Sequence, residues 1–304
     1  MPELPEVQTI VNDLNRKIVG EKIADFKSVW KKNVRPSFTK FEKEIVGAKV
    51  IGVRRIGKQI IIDLDNNNSV LIHLKMSGHL LYKHQITSNK PAYRTGRLQT
   101  NSKLKIQNSK QRDYFEERVN QYIRHKFIFE SGDILDFSDL RKFGWLGVVK
   151  TGEVENVKEI KKLGIDALDK KFTLGCFKNI LDKKQKSIIG VLLLDQSLIT
   201  GIGNIYRSEI LFDSFVLPKR KVSSLSKQEI ERIFNSIKNI LNKAVKMRGT
   251  SDSDYRDIEG KPGKFQNELM VYGREGEPCK LCGTKIIREK IGQRSVFYCP
   301  VCQK

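Results

Sequence analysis

The chain has 304 residues, and 57 Lys and Arg against 35 Asp and Glu give a formal charge of +22 and a pI near 9.7. An excess of that size points to a polyanion, nucleic acid first, because each neutralised phosphate releases condensed counterions; a generally lysine-rich proteome is the plainer alternative. A 39% hydrophobic share suffices for a real core, the length suggests two domains or more, and the longest apolar stretch, Ile188 to Leu194, falls far short of the ~20 residues of a membrane helix.

The start, Met1-Pro2-Glu3-Leu4-Pro5-Glu6, is acidic and proline-rich, unlike a signal peptide, so a cytoplasmic protein is expected. Removal of Met1 would leave Pro2 as a free secondary amine beside two carboxylates. An α-amino group has a pKa of ~7.7 to 8.0 against ~10.4 for lysine, so about one in ten is unprotonated at neutral pH. Attack of such a nitrogen on an aldehyde carbon yields an iminium ion, an electron sink like a lysine Schiff base. The simpler reading of the hexapeptide is that Pro2 and Pro5 open a helix. Apolar residues at Val7, Ile10, Val11, Leu14 and Ile18 predict that helix, with Gly20 as its stop.

Strand patterns follow from Val50 to Leu81. Ile60–Leu64 and Val70–Leu74 flank a polar turn and read as a hairpin. Lys58 precedes the first of these strands, and Met76 follows the second. A lone Met there is usually core, but enzymes that empty a base stack also insert apolar wedges. Residues 83–120 are poor in apolar side chains and read as a flexible basic insertion. Strands resume at Tyr122–Glu130 and Ile134–Phe137, and Arg141 and Phe143 then share one side of an extended segment. A β-rich domain with a leading helix is therefore expected over 1–150.

Helices dominate the remainder, to about 265. Ile188–Gln196 and Ile205–Phe215, joined through Thr200-Gly201-Ile202-Gly203-Asn204, suggest a helix-turn-helix variant. Asn204 suits a helix N-cap, and the N–H groups behind it suit a DNA phosphate; a mere tight turn is the alternative. Further on, Ser226 with Glu229 forms a capping box, Leu225 with Ile230 a hydrophobic staple, and Ile230 to Val245 an apolar face.

Residues 266–304 contain Cys279-x2-Cys282, sixteen residues, then Cys299-x2-Cys302. Four thiolates in two such knuckles suit one tetrahedral structural Zn2+, with redox pairs as the alternative. Cys176 is left over as a core or half-exposed thiol. Arg294 lies on a hairpin between the knuckles, where it could reach a phosphate.

Taken in order, Pro2 to Glu6, His73 to Gly78, Asp139 to Gly144, Gly201 to Glu209, Val271 to Arg274 and the four cysteines resemble the formamidopyrimidine-DNA glycosylase family. The resemblance implies an α+β multidomain fold: an N-terminal β-sandwich with a leading helix, a helix-two-turn-helix domain and a C-terminal zinc ribbon finger. It implies a monomer, without membrane attachment, that acts on double-stranded DNA containing an oxidised purine or an abasic site in the cytoplasm, at the nucleoid. It further implies that Pro2 attacks C1′, that Glu3 is the general acid, and that Glu6 organises the site. Lys58 would serve β-elimination and Arg294 δ-elimination. Met76, Arg141 and Phe143 would fill the gap left by the flipped base, with Arg141 facing the orphaned cytosine, and Asn204 and Arg294 would pinch the phosphates. Tyr122 stands where a DNA-binding histidine is common, Gly190 where a lysine is common, and the loop from Gly249 to Tyr255, including Ser253, lacks Lys and Arg. Two rivals remain: an endonuclease VIII-like enzyme for oxidised pyrimidines, and a non-catalytic zinc-containing DNA-binding protein.

Overall fold

The computed structural model describes residues 1–84, 114–251 and 254–304. Most of the expected insertion, and Ser253, lie outside the described residues. The insertion's trailing flank forms two short turns, Tyr114–Glu116 and Arg118–Gln121. An ion pair from Glu117 to Arg256 at 2.9 Å fastens them to the chain near Tyr255.

Helix α1 (Leu4–Lys17) begins with Pro5 in its first turn, where a missing N–H costs nothing, and with the Glu6 carboxylate accepting the Glu3 N–H at 2.7 Å. Val7, Ile10, Val11, Leu14 and Ile18 are all buried, as their spacing predicts, and Gly20 turns the chain at φ +94°. After α1 come β1 (Ile23–Ser28), β2 (Val34–Arg35), α2 (Phe38–Ile45), β3 (Val50–Ile56), β4 (Gln59–Leu64), β5 (Asn68–His73), β6 (Gly78–Lys83), β7 (Ile123–Phe129), β8 (Ile134–Asp139) and β9 (Trp145–Lys150). They form a four-stranded sheet ordered β1-β7-β8-β6 and a five-stranded sheet ordered β2-β9-β5-β4-β3. The expected hairpin is β4–β5, with Ile61 opposite Leu71. Between the sheets lie Phe26, Phe41, Phe127, Phe137, Ile60, Ile62, Val70 and Ile72, and the apolar face of α1 closes that core. Alternate residues Ile61, Leu71 and Trp145 are buried too, because Val154 and Ile160 cover the outer face. That double covering explains why β4 and β5 read as continuous apolar runs.

The helical part adds α3 (Lys158–Lys161), β10 (Ile165–Asp166), α4 (Leu174–Asp182), α5 (Ile189–Leu192), β11 (Ile199–Thr200), α6 (Asn204–Asp213) and α7 (Lys227–Lys246). The long α7 matches its capping box, with Glu229 N–H on Ser226 Oγ at 3.2 Å and Ser226 N–H on Glu229 Oε2 at 2.7 Å. The helix expected over 188–196 is shorter. After α5 the chain turns at Asp195, whose carboxylate takes the Ser197 N–H at 2.9 Å, and β11 then pairs in parallel with β10. Asp195 competes for the backbone there, as short acidic side chains do. Cys176 is half-buried on α4. Finally β12 (Ile287–Ile291) and β13 (Arg294–Tyr298) form the expected hairpin, packed through Phe297 against Phe212 of α6 and Val271. Among the described residues, no helix is long and apolar enough to cross a membrane.

Candidate active site

A cleft of about 320 Å³ opens where the start of α1 meets α6, and Pro2, Glu3, Lys58, Met76, Asn204 and Arg294 all line it. These six residues span nearly the whole chain. The docking that gathers them depends on two glycines. Leu4 N–H donates to Gly201 O at 3.0 Å, and a Cβ on Gly201 would lie 2.4 Å from the Leu4 side chain. A Cβ on Gly203 would lie 2.2 Å from Glu3 Cδ.

That approach lets the buried Glu3 carboxylate take the N–H groups of Ile205 at 3.0 Å and Tyr206 at 3.4 Å. The N-terminus of α6 therefore holds an anion of the protein's own, the Glu3 carboxylate. Orphan N–H groups favour the nearest oxygen that reaches them. The N-cap is Gly203 and Asn204 is the first helical residue, so the capping role expected of Asn204 is displaced by one position. Its side-chain Oδ1 instead accepts from Arg207 Nη2 at 2.7 Å.

Glu6 lies behind Glu3. Besides the Glu3 N–H it accepts the Tyr206 hydroxyl at 2.5 Å and the Thr250 N–H at 2.7 Å. Burial, then the neighbouring Glu3, pushes its carboxyl up to about 7, against the pull of those donors. Lys58 follows Gly57, a turn residue at φ +59°, and its Nζ donates to Ile202 O at 3.0 Å. Burial holds the Lys58 pKa below the ordinary lysine value, with Glu3 and Glu6 opposing and Arg294 adding to the decrease. A lysine whose pKa is lowered gives up its own proton more readily than an ordinary one, which suits a general base.

Met76 is 40% exposed at the cleft wall rather than core. It follows Lys75 at φ +54°, and His73 Nδ1 steadies that turn by accepting the Lys75 N–H at 3.0 Å. Burial, then Lys75, presses the His73 pKa down to about 3, so the ring stays a neutral acceptor. Arg141 and Phe143 do not line the cleft. The segment expected to be extended is a turn, with Lys142 at φ +59°; the Arg141 guanidinium nevertheless lies 4.9 Å from the centre of the Phe143 ring. Asp139 makes the turn. Its carboxylate takes the Ser77 hydroxyl at 2.6 Å, Arg141 N–H at 3.1 Å and Gly144 N–H at 2.8 Å, tying this turn to the one carrying Met76. Tyr122 stands outside the cleft, with its carbonyl on Asp139 N–H and its hydroxyl accepting from Arg118.

Thr250 and Tyr255, from the loop Gly249 to Tyr255, and Tyr272, from the segment Val271 to Arg274, also line the cleft, as does Gln196, which sequence reasoning did not single out. Gln196 bridges Ile202 O and Gly201 N–H at 2.8 and 3.1 Å and so holds the turn before α6. An isolated glutamine carries no pattern that could have revealed this. Gly190, read as a missing lysine, has a packing cause as well: a Cβ there would lie 2.7 Å from Pro218 O.

The four cysteine sulfurs lie within 4.8 Å of one another, with Cys279–Cys302 at 3.9 Å and Cys282–Cys299 at 3.5 Å. Tetrahedral thiolates at ~2.3 Å from Zn2+ stand about 3.8 Å apart, so the donor set fits a structural zinc that leaves no position for substrate.

Family models match residues 1–146 as formamidopyrimidine-DNA glycosylase N-terminal domain, 163–256 as its H2TH domain, and 276–304 as a zinc finger found in FPG and IleRS. The formamidopyrimidine-DNA glycosylase of Pelotomaculum thermopropionicum is 35% identical over 100% of this chain and 99% of its own. That of Listeria monocytogenes is 37% identical over the full length of both. Among solved structures, Lactococcus lactis Fpg bound to abasic-site DNA superposes with a TM-score of 0.81 at 30% identity, covering 99% of each chain. A MutM complex with carbocyclic 8-oxo-G DNA gives 0.80 at 30% identity over 100% of each. Three domain models in order, full-length relatives and a common architecture make this chain a member of the formamidopyrimidine-DNA glycosylase family.

Proposed function

We propose that this protein is a bifunctional DNA glycosylase and AP lyase that removes oxidised purines, 8-oxoguanine and formamidopyrimidines, from double-stranded DNA. The observation that carries the reading is the convergence of Pro2, Glu3 and Lys58 in one cleft. With Met1 removed, the Pro2 nitrogen attacks C1′ as the glycosidic bond breaks, and Glu3 supplies a proton to the opening sugar. The resulting iminium acidifies the C2′ proton. Lys58, its pKa depressed by burial, assists loss of that proton as the 3′ phosphate leaves, and Arg294 assists the second elimination, in which the 5′ phosphate leaves. Glu6 holds the Glu3 amide and so orients the segment that bears Pro2.

Met76, Arg141 and Phe143 are assigned to the space left by the flipped base. Exposure of Met76 at the cleft wall and of Phe143 on the turn that Asp139 ties to it, at 40% and 54%, supports this, since large apolar side chains left in water beside a cleft mark a binding surface. Asn204 and Arg294 are assigned to phosphates, and Tyr122 to a more distant backbone contact. Cys279, Cys282, Cys299 and Cys302 would hold one Zn2+, which supplies a rigid mount for the Arg294 hairpin. The protein acts as an intracellular monomer, with domain limits near 150 and 265.

Borohydride reduction of the Schiff base on a panel of duplexes tests the whole reading. Trapping on 8-oxoguanine opposite cytosine, abolished by Pro2→Gly and absent when a mass measurement finds Met1 retained, is expected. A clear preference for thymine glycol would instead select the endonuclease VIII-like reading, and no trapping by Met-processed protein the non-catalytic one.

A further inference from the structure

Arg207 is the largest fully buried side chain in the described protein, with no exposed surface. It lies one turn into α6, three residues beyond Asn204. A guanidinium in such a place is strongly disfavoured unless a carboxylate compensates it. No carboxylate contacts it: among the described residues Arg207 forms no ion pair, and all its hydrogen-bond acceptors are neutral. Nη1 donates to Gly190 O at 3.1 Å, Nη2 donates to Asn204 Oδ1 and to Ser295 O at 2.7 Å each, and buried Nε finds no acceptor. Those three acceptors belong to α5, α6 and the zinc-finger hairpin.

The chemistry of the fork decides what this does. Guanidinium can only donate, so the oxygen of the Asn204 amide must face Arg207, and the two N–H groups are left for the cleft that Asn204 lines. Ser295 directly follows Arg294, so the same Nη2 also fixes the backbone that carries Arg294. One guanidinium group thus sets the relative placement of two phosphate-facing side chains that come from different domains.

We propose that Arg207 is a positioning residue for strand cleavage, holding Asn204 and Arg294 in register across the seam between α6 and the zinc hairpin, and adding a positive charge that no carboxylate contacts behind the phosphate site. The inference rests on the glycosylase–lyase reading above. It goes beyond that reading by assigning the ratio of the two eliminations to a residue that touches neither DNA nor the sugar. Electrostatics agree: burial lowers the Arg207 pKa to about 10, Glu3 opposes that fall and Arg294 adds to it, so Arg207 lies within electrostatic range of both ends of the cleft.

The test uses the full-length, Met-processed, zinc-loaded protein with Arg207→Met and Arg207→Lys, on an 8-oxoguanine duplex under single turnover. Borohydride trapping, the ratio of δ to β products, KM for DNA and bound zinc are read together. Arg207→Met is expected to lower the δ-to-β ratio and raise KM, each by about tenfold, the effect of one charge-assisted hydrogen bond, with trapping at saturating DNA much less affected. Arg207→Lys, which keeps the charge but not the fork, should recover KM and leave the ratio low. An unaltered ratio in Arg207→Met with zinc retained overturns the inference alone. Joint loss of trapping, both eliminations and zinc in the two variants also overturns it, because that marks a purely structural arginine. Absence of trapping by the unsubstituted protein defeats the glycosylase–lyase reading itself.

Discussion

Glu6 shows how one residue acquires its properties from distant parts of the chain. Its position near Pro2 was legible as a second carboxylate, but its partners Tyr206 and Thr250 lie 200 and 244 residues away. Because the folded chain raises its pKa from 4.5 to about 7, the native state binds this proton more tightly than the unfolded one. Its contribution to stability is therefore complete below pH 4.5 and is lost as pH rises to about 7. A shift of that size is worth on the order of 3 kcal/mol at most. Denaturant unfolding from pH 4 to 8 should show Glu6→Gln with a flatter curve in that window, and an identical slope in both proteins would sink the assignment. Pro2 stood out by its place after Met1, and Lys58 through the family resemblance. Lys58 acquires its lowered pKa first from the walls that bury it and then from Arg294, all brought to it by the fold.

At the level of elements, two helix starts make a contrast. The α7 cap is local: Ser226 and Glu229 are three residues apart, and the sequence pattern alone predicts their hydrogen bonds. Ser226→Ala should lower stability by about 1 kcal/mol, read by thermal or denaturant unfolding, with base excision unaltered. At α6 the cap is tertiary, since Glu3 arrives from the other end of the chain. Gly203→Ala must push the Glu3 carboxylate off α6, because the new Cβ would stand 2.2 Å from its Cδ. Overpacking there should cost ~2 kcal/mol of stability and also lower single-turnover base excision at least tenfold, a double effect that Ser226→Ala lacks. Retained excision in Gly203→Ala would show that Glu3 need not sit on the helix end. The premature end of α5 was illegible for a related reason. Its apolar run satisfies a helix and a buried turn equally, and pairing of β11 with β10 chooses between them.

Over the whole molecule, the +22 charge is a statement about partners and not about fold. DNA affinity should fall steeply with salt, in proportion to the phosphates engaged. The zinc-finger hairpin joins the two parts of that surface, because it bears Arg294 and packs through Phe297 on Phe212 of α6. Chelation of zinc is expected to release the hairpin and to reduce lesion-DNA binding by at least tenfold at fixed salt, while the β-sandwich signal in circular dichroism persists. Equal affinity with and without metal would detach the finger from DNA recognition.

The sequence by itself determined whatever depends on near neighbours or on residue type. That covers the α1 and α7 faces, the β4–β5 hairpin, the cysteine knuckles and, through motifs in matching order, the family. Only the tertiary structure decided that the anion on α6 is Glu3, that Arg141 and Phe143 meet across a turn tied by Asp139, and that a buried arginine links two domains. Each of those is a contact between groups far apart in the chain, where sterics and the demand of buried polar atoms for partners choose among arrangements that the local sequence leaves equally open.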